Sequence, residues 1–249
     1  MQRYFLDDPH QTGDHLVLPE TIARHWIRVM RAQIGDQAEF VDSTAHLFVG
    51  SLTVMEPEAT VTLTAVPTPE VELPVAVTIA CGLPKQEKSE WITQKATELG
   101  VTNIVFYAAD WSVAKWQGNK AGKKVARLNK IAAAAAEQSH RLHRPEVSYA
   151  ASLADVLKQP VDVRLMAYEE SAKQGEQSAL NQQLTALRPG QTLLTIFGPE
   201  GGISPAEVEQ ATAAQTTLVG LGPRILRTET APLYLLAATS MVLELQTPR

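Results

Sequence analysis

The stretch that decides the fold runs Leu193-Leu194-Thr195-Ile196-Phe197-Gly198-Pro199-Glu200-Gly201-Gly202-Ile203-Ser204-Pro205. Its first five residues are continuously apolar apart from one threonine, which suits a strand buried on both faces. The Gly-Pro-x-Gly-Gly turn that follows lets backbone approach where a Cβ would block it. Ser204-Pro205-Ala206-Glu207 then carries Ser at the N-cap, Pro at the first helical position and Glu two residues after it, which predicts a capping box opening a helix. Downstream, Thr217-Leu218-Val219 reads as a second short strand closed by Gly220 and Gly222. The polar run Arg227-Thr228-Glu229-Thr230 leads into a last helix, about 231 to 246, that is apolar on nearly every side. Two glycine loops at the exits of buried strands predict a ligand site at the carboxyl edge of a parallel sheet. Neither loop is Gly-x-Gly-x-x-Gly or a phosphate loop with its lysine, which argues against a dinucleotide or a nucleoside triphosphate.

Upstream of this stretch, strand and helix alternate. Residues 75–80 and 103–107 read as strands, with a helix from 87 to 99 between them that places Trp91, Ile92, Ala96 and Leu99 inward and stops at Gly100. A long helix is expected from about 121 to 140, and a strand at 163–167. This is the pattern of an α/β domain with a mostly parallel sheet covered on both faces. Pro67-Thr68-Pro69-Glu70-Val71-Glu72-Leu73-Pro74 separates it from a small β-rich segment, so domains are expected at 1–68 and 74–249. Within the first, short strands surround 38–41, 47–49 and 61–66. One helix, about 20 to 31, places Ile22, Trp26 and Val29 on its core face and Arg24, Arg28 and Arg31 on another.

The chain has 249 residues, 45% of them hydrophobic, with a net charge of −5. That composition describes a globular chain, and the net charge alone argues against a nucleic-acid partner. The distribution argues for one. Lys115, Lys120, Lys123, Lys124, Arg127, Lys130, Arg141 and Arg144 stand against the single acid Glu137, a local balance of +7. Such a run is either a solvated helix face or a polyanion footprint, and its segregation in an acidic chain favours the footprint. Cys81 is the single cysteine, so no intramolecular disulfide forms, which fits a reducing cytoplasm. The first residues lack a secretory apolar core, no apolar run reaches membrane-spanning length, and the six histidines show no metal-ligand spacing.

The paired motifs resemble a known family. Gly198-Pro199-Glu200-Gly201-Gly202, together with Leu221-Gly222-Pro223-Arg224-Ile225-Leu226-Arg227-Thr228-Glu229-Thr230-Ala231, is similar to the SPOUT class of trefoil-knotted methyltransferases. Within that class it looks like the bacterial family that methylates N3 of a uridine in 16S ribosomal RNA. Further matches are Arg3-Tyr4-Phe5, the stretch from His25 to Arg31, Lys85, Lys88, Gln94 to Val101, and Glu137-Gln138-Ser139 with Arg141. The resemblance implies a knotted methyltransferase domain behind a PUA-like RNA-binding barrel, with S-adenosyl-L-methionine as cofactor and no metal. It also implies a cytoplasmic homodimer acting on 16S rRNA, within the small subunit.

The same resemblance assigns residues. Gly198, Gly220 and Gly222 are expected to expose backbone groups to adenine and ribose. Phe197, Pro199, Glu200, Gly201, Leu218, Leu221, Ile225 and Leu226 should line the cleft, with Ala167 and Tyr168 nearby and Thr230 and Ala231 closing the motif. Arg227 and Glu229 are catalytic candidates: a guanidinium to stabilise the uracil anion, and a carboxylate of raised pKa to take the N3 proton. The competing reading is an Arg227–Glu229 ion pair that merely fixes the loop. Arg141 is a candidate for reaching a neighbouring subunit's site. RNA contacts are expected from Arg3, Arg24, Arg28, Arg31, Lys85, Lys115, Lys123, Lys124, Arg127 and Arg144. The chain departs from the family at Trp111, where an arginine is usual, at Leu128 for tryptophan, and at His140 for glycine. A SPOUT enzyme for another RNA position, or a non-catalytic ribosome-assembly factor, are the alternatives to an N3-specific enzyme.

Overall fold

A five-stranded sheet and a six-stranded sheet organise two compact units. One is Met1–Val71 with Glu137–His143, the other Glu72–Ala136 with Arg144–Arg249. The structure, a computed structural model, describes residues 1–116, 118–168 and 179–246.

The first unit contains β1 (Arg3–Phe5), β2 (His15–Val17), β3 (Gln37–Val41), β4 (Leu47–Val54) and β5 (Thr60–Ala65), in the order β1-β3-β4-β5-β2. Only the β1–β3 pair is parallel. Tyr4, Trp26, Phe40, Phe48, Leu52 and Leu63 fill its core. The two shortest strands, β1 and β2, carry too few residues to show a period and escape the sequence reading. The expected helix is α1 (Glu20–Ala23), which widens directly into a π-helix over Arg24–Val29. Ile22 and Trp26 are buried as expected, but Val29 is 63% exposed. The wider turn, closed by the Met30 N–H donating to the His25 carbonyl at 2.9 Å, carries Val29 off the core face.

Arg3, expected at RNA, is spent inside this unit. Its guanidinium is 3% exposed, donates to Glu39 Oε2 at 2.8 Å and reaches the carbonyls of His140 and Arg141. His140 adopts φ of 55°, a left-handed conformation that a glycine enters without strain, and its ring approaches Glu39 Oε2 at 3.0 Å. The histidine thus keeps the backbone conformation that the usual glycine takes freely, and adds a contact to Glu39.

The second unit is an all-parallel sheet of β6 (Ala76–Gly82), β7 (Asn103–Tyr107), β8 (Glu146–Ala150), β9 (Val163–Ala167), β10 (Thr192–Phe197) and β11 (Thr217–Val219). The order is β11-β9-β10-β6-β7-β8. Alternate residues of each strand enter opposite cores. Ile79, Cys81, Phe106, Leu193 and Phe197 face one side, and Ala80, Val105, Tyr107, Leu194 and Ile196 the other. The helices are α2 (Lys88–Glu98), α3 (Asn119–Gln138), α4 (Leu153–Leu157), α5 (Ala179–Ala186), α6 (Pro205–Ala213) and α7 (Ala231–Ser240). The last continues as a π-helix over Met241–Leu245. The first core takes residues of α2, α3, α5 and α7, and the second takes residues of α4 and α6, so the sheet is covered on both faces. Cys81 lies fully buried in β6, and burial pushes its thiol far above its ordinary value.

Trp91 was expected inward and is 52% exposed. The buried face of α2 is instead Ser89, Ile92, Thr93, Ala96 and Thr97. Two of its threonines avoid the cost of burying a hydroxyl by donating to the carbonyls four residues back, Thr93 to Ser89 and Thr97 to Thr93, both at 2.8 Å.

Within the first sheet, Gly50 faces Phe40 so closely that an added Cβ would stand 2.5 Å from the ring. Gly50→Ala is therefore expected to cost about 1–3 kcal/mol through overpacking. The denaturation midpoint of the first unit's unfolding measures it; an unchanged midpoint would show that Phe40 yields without penalty.

Candidate cofactor cleft

The cleft forms where β9, β10 and β11 end. After Phe197 the chain turns sharply, with the Gly202 N–H donating to the Pro199 carbonyl at 2.9 Å. A Cβ on Gly198 would stand 2.7 Å from Ile203 Cγ1 and 2.9 Å from the Gly202 carbonyl carbon, so this loop closes only on glycine. The predicted capping box is formed. Ser204 Oγ accepts from the Glu207 N–H at 3.1 Å, and Glu207 Oε2 accepts from the Ser204 N–H at 2.9 Å. The buried Glu207 also accepts from the Asp110 N–H, and Ser204 donates to Asp110 Oδ2 at 2.6 Å. One helix cap thereby anchors the loop after β7, which places Trp111 against Gly201.

The second wall comes from the loop after β11. Gly222 takes φ of +87°, which suits glycine alone, and Arg227 accepts two backbone hydrogen bonds, from Thr230 and Ala231, as α7 begins. Between the loops lies a cavity of about 660 Å3. From the first loop it is lined by Phe197, Gly198, Pro199, Glu200 and Gly201; from the second by Leu221, Gly222, Ile225, Leu226 and Arg227; and elsewhere by the expected Ala167, Tyr168 and Ala231. Leu218, Gly220 and Thr230 do not line it. Gly202, Ile203, Pro205, Arg224 and Thr228 do, without having been singled out, and so do Lys88 and Trp111.

Lys88 is the group that sequence reasoning passed over. It stands at the start of α2, and its ammonium lies 3.0 Å from Glu200 Oε1 and 2.9 Å from Glu229 Oε2. It therefore ties the first glycine loop to the second. Lys88 belongs to the stretch that resembles the family, but nothing in its spacing announces two carboxylates from residues more than a hundred positions away.

The electrostatics reverse one expectation. Burial pushes the Glu229 carboxyl up, but Lys88, its own backbone N–H and the Arg227 charge outweigh burial and hold it below the usual glutamate range. Glu200 is lowered in the same way, burial being outweighed by Lys88 and the backbone N–H groups of Glu200 and Lys85. Lys88 is raised by hydrogen bonds to Glu229 and Glu200. Glu229 is thus an ionised partner of Lys88 rather than a carboxyl of raised pKa. Its ion-pair partner among the described residues is Lys88 and not Arg227, which lines the cleft.

The remaining candidates lie elsewhere. Arg141 is 3% exposed within the first unit, its carbonyl accepting from Arg3, and it lines neither the cleft nor an accessible surface. Arg24, Arg28, Arg31, Lys85, Lys115, Lys123, Lys124 and Arg144 are exposed. Arg127 is exposed but pairs with Glu90 at 2.8 Å. Among the described residues no cluster could hold a metal ion, and no helix is long and apolar enough to cross a membrane.

A parallel sheet with a glycine-built cleft at its carboxyl edge defines a cofactor-binding α/β domain, and residues 71–240 match the model of the RNA methyltransferase domain. The chain belongs to that family. It is 43% identical over 252 residues to ribosomal RNA small subunit methyltransferase E of Bacillus subtilis (strain 168), covering 98% of both chains. Its fold matches the crystal structure of a ribosomal RNA small subunit methyltransferase E from Neisseria gonorrhoeae bound to S-adenosyl methionine. The TM-score is 0.85 at 29% identity, over 97% of this chain and 98% of that one. A Legionella pneumophila protein solved with bound cofactor SAM gives 0.82 at 25% identity, over 96% of each chain.

Because the carboxyls of Glu200 and Glu229 are lowered on folding, the stability they contribute is present above the ordinary glutamate value and is lost as pH falls through their folded values. Lys88→Met is expected to lower the thermal midpoint near about pH 7, and the difference from wild type to shrink as pH falls below the ordinary glutamate range. A difference that persists in acid would show that Lys88 stabilises by packing rather than by charge.

Proposed function

We infer that the chain transfers a methyl group from S-adenosyl-L-methionine to N3 of a uridine in 16S ribosomal RNA. The observation that carries this reading is the cleft built by two glycine loops at adjoining strand ends, in a chain that aligns from end to end with small-subunit rRNA methyltransferases. The residues present suit the cofactor. A cavity of about 660 Å3 is of small-molecule size, Leu221, Ile225 and Leu226 offer apolar walls for a nucleoside, and the loops present backbone polar groups at close range. When bound, the cofactor supplies an electrophilic methyl on a sulfonium centre.

The chain's own residues have two tasks, orientation and charge. Uracil N3 is a weakly acidic imide that reacts as its anion, so a cation near O2 or O4 lowers the barrier. Arg227, at the cleft and not ion-paired with Glu229, fits that task. Glu229, held ionised by Lys88, is a weak proton acceptor and fits loop fixation instead. We assign residues 1–68 as a PUA-like RNA-binding barrel and residues 74–249 as the SPOUT domain, with the C-terminal segment forming the trefoil knot. The exposed cations of α3 and of the first unit's π-helix would hold RNA phosphates. Tyr234, Met241 and Leu245 fall at near-helical spacing along the last helix and are 40%, 53% and 80% exposed. This apolar stripe supports a homodimer formed across it, in the cytoplasm, with the small ribosomal subunit as partner.

In cells lacking the protein, mass mapping of 16S rRNA is expected to show loss of N3-methyluridine. Wild type restores the mark, whereas Arg227→Ala lowers the purified enzyme's kcat by roughly 100-fold or more with cofactor affinity little changed. An intact mark in the deletion strain would overturn the substrate assignment.

The basic helix gives a separate test. Replacing Lys123 and Lys124 by Gln is expected to reduce the salt dependence of RNA binding by a log–log slope of about 1.5, equally across sequences. Arg127, paired with Glu90, should add less. An unchanged slope would assign these lysines to an ordinary solvated face.

A further inference from the structure

The two glycine loops of the cofactor cleft are fastened unequally. The first is held by three contacts to the segment that leads from β6 into α2. Gly82, the last residue of β6, admits Pro199 because it lacks a side chain: a Cβ there would stand 2.6 Å from Pro199 Cδ and 2.8 Å from its nitrogen. The Lys85 N–H donates to Glu200 Oε1 at 3.1 Å, and the Lys88 ammonium lies 3.0 Å from the same oxygen. The second loop is less enclosed. Pro223, Arg224 and Ile225 are exposed, Ile225 by 78%. Glu229 stands just beyond it, in the turn that the Arg227 carbonyl closes by accepting from the Thr230 and Ala231 N–H groups. Its Oε2 meets Lys88 at 2.9 Å.

Lys88 is thereby the point at which charge joins the two loops. An ammonium carries three N–H donors on a compact head, and here carboxylates from both walls of the cleft meet it. The three side chains are 20–25% exposed, so salt and water screen the bridge less than on an open surface. Glu200 lines the cleft, whereas Glu229 does not. The bridge to Glu229 therefore offers a ligand no contact of its own. What it sets is how far apart the walls stand before a ligand arrives, and a cleft already at its bound width spares the ligand the cost of ordering it. Lys88 also lines the cleft itself, so the competing account is a direct contact with the cofactor, and Glu229 is the residue that separates the two.

We propose that Lys88 is a positioning residue for the cofactor: its ammonium, held by Glu200 and Glu229, fixes the two glycine loops at the separation that S-adenosyl-L-methionine binds. The proposal rests on the cofactor reading inferred above and adds to it a residue from a third segment of the chain. Lys88 acts on the first loop through Glu200, and on the second through the turn that holds both Glu229 and Arg227. Without the bridge the loops also occupy arrangements that do not bind, and the apparent affinity falls by the fraction of molecules left in the competent one.

The test uses the full-length protein carrying Lys88→Met, Glu229→Met, both together, or Lys88→Arg. Affinity for S-adenosyl-L-methionine is read by calorimetry at a temperature where circular dichroism shows each variant folded. Lys88→Met is expected to weaken binding about 10-fold, as for a competent fraction of about one tenth. Glu229→Met, which leaves the cleft lining untouched, weakens it comparably, and the double variant binds no worse than either single one. Lys88→Arg, which keeps a charge able to meet both carboxylates, stays within about three-fold of wild type. In turnover, Lys88→Met raises KM for the cofactor by the factor seen in binding, while kcat at saturating cofactor stays within about three-fold of wild type. A merely unstable enzyme would instead lose kcat at unchanged KM. The inference is overturned if Glu229→Met binds like wild type while Lys88→Met does not, which would assign Lys88 to direct contact with the cofactor. It is equally overturned if the two losses add in the double variant, if Lys88→Met binds like wild type, or if its kcat falls with KM unchanged. A wild-type protein that binds no S-adenosyl-L-methionine overturns the cofactor reading itself, and this inference with it.

Discussion

The strand Thr192–Phe197 pairs with a parallel neighbour on each side and is buried along nearly its whole length. That constraint shapes the rest of the second unit. A central parallel strand gives its side chains to two cores and its backbone groups to two ladders, so it offers a ligand nothing along its length. Only the residues past its end are free. The chain turns there on Gly198-Pro199-Glu200-Gly201-Gly202, and the last strand carbonyl, that of Phe197, is held by the buried Tyr107 hydroxyl at 3.2 Å. The adjoining exits of β9 and β11 fall on the same edge, which is how residues fifty positions apart in the chain come to share one cleft.

The parts of this arrangement that were legible in the sequence are those with a short-range cause. The apolar run of β10, the capping box at Ser204 and the breaks at Gly198 and Gly222 all follow from local chemistry. So do the strands at 103–107, 163–167 and 217–219, which the structure reproduces residue for residue. Trp91 and Val29 were misplaced for different reasons. The first lies on a helix whose inner face is built from threonines that hide their hydroxyls, so apolarity was a poor guide to burial. The second lies beyond a change of helical pitch, which periodicity assumes does not happen. The Lys88 bridge was illegible because it depends on three segments meeting.

Charge is divided by purpose in this molecule. Around the cleft, acids and bases are paired: Lys88 with Glu200 and Glu229, and Ser204 and Glu207 with Asp110 through hydrogen bonds. These groups hold loops. On α3, Lys123, Lys124 and Lys130 stand exposed. A chain of net charge −5 can thus present a cationic face without becoming basic overall.

Cys81 sits inside β6, opposite Phe197, with its thiol fully enclosed by the core. Buried this way it is held as the protonated thiol, out of reach of alkylating or oxidising reagents while the fold is intact. For chemical biology the folded protein is therefore silent toward thiol reagents as it stands. A cysteine introduced on the surface can carry a fluorophore, spin label or crosslinker as the one reactive thiol, with no need to remove the native residue.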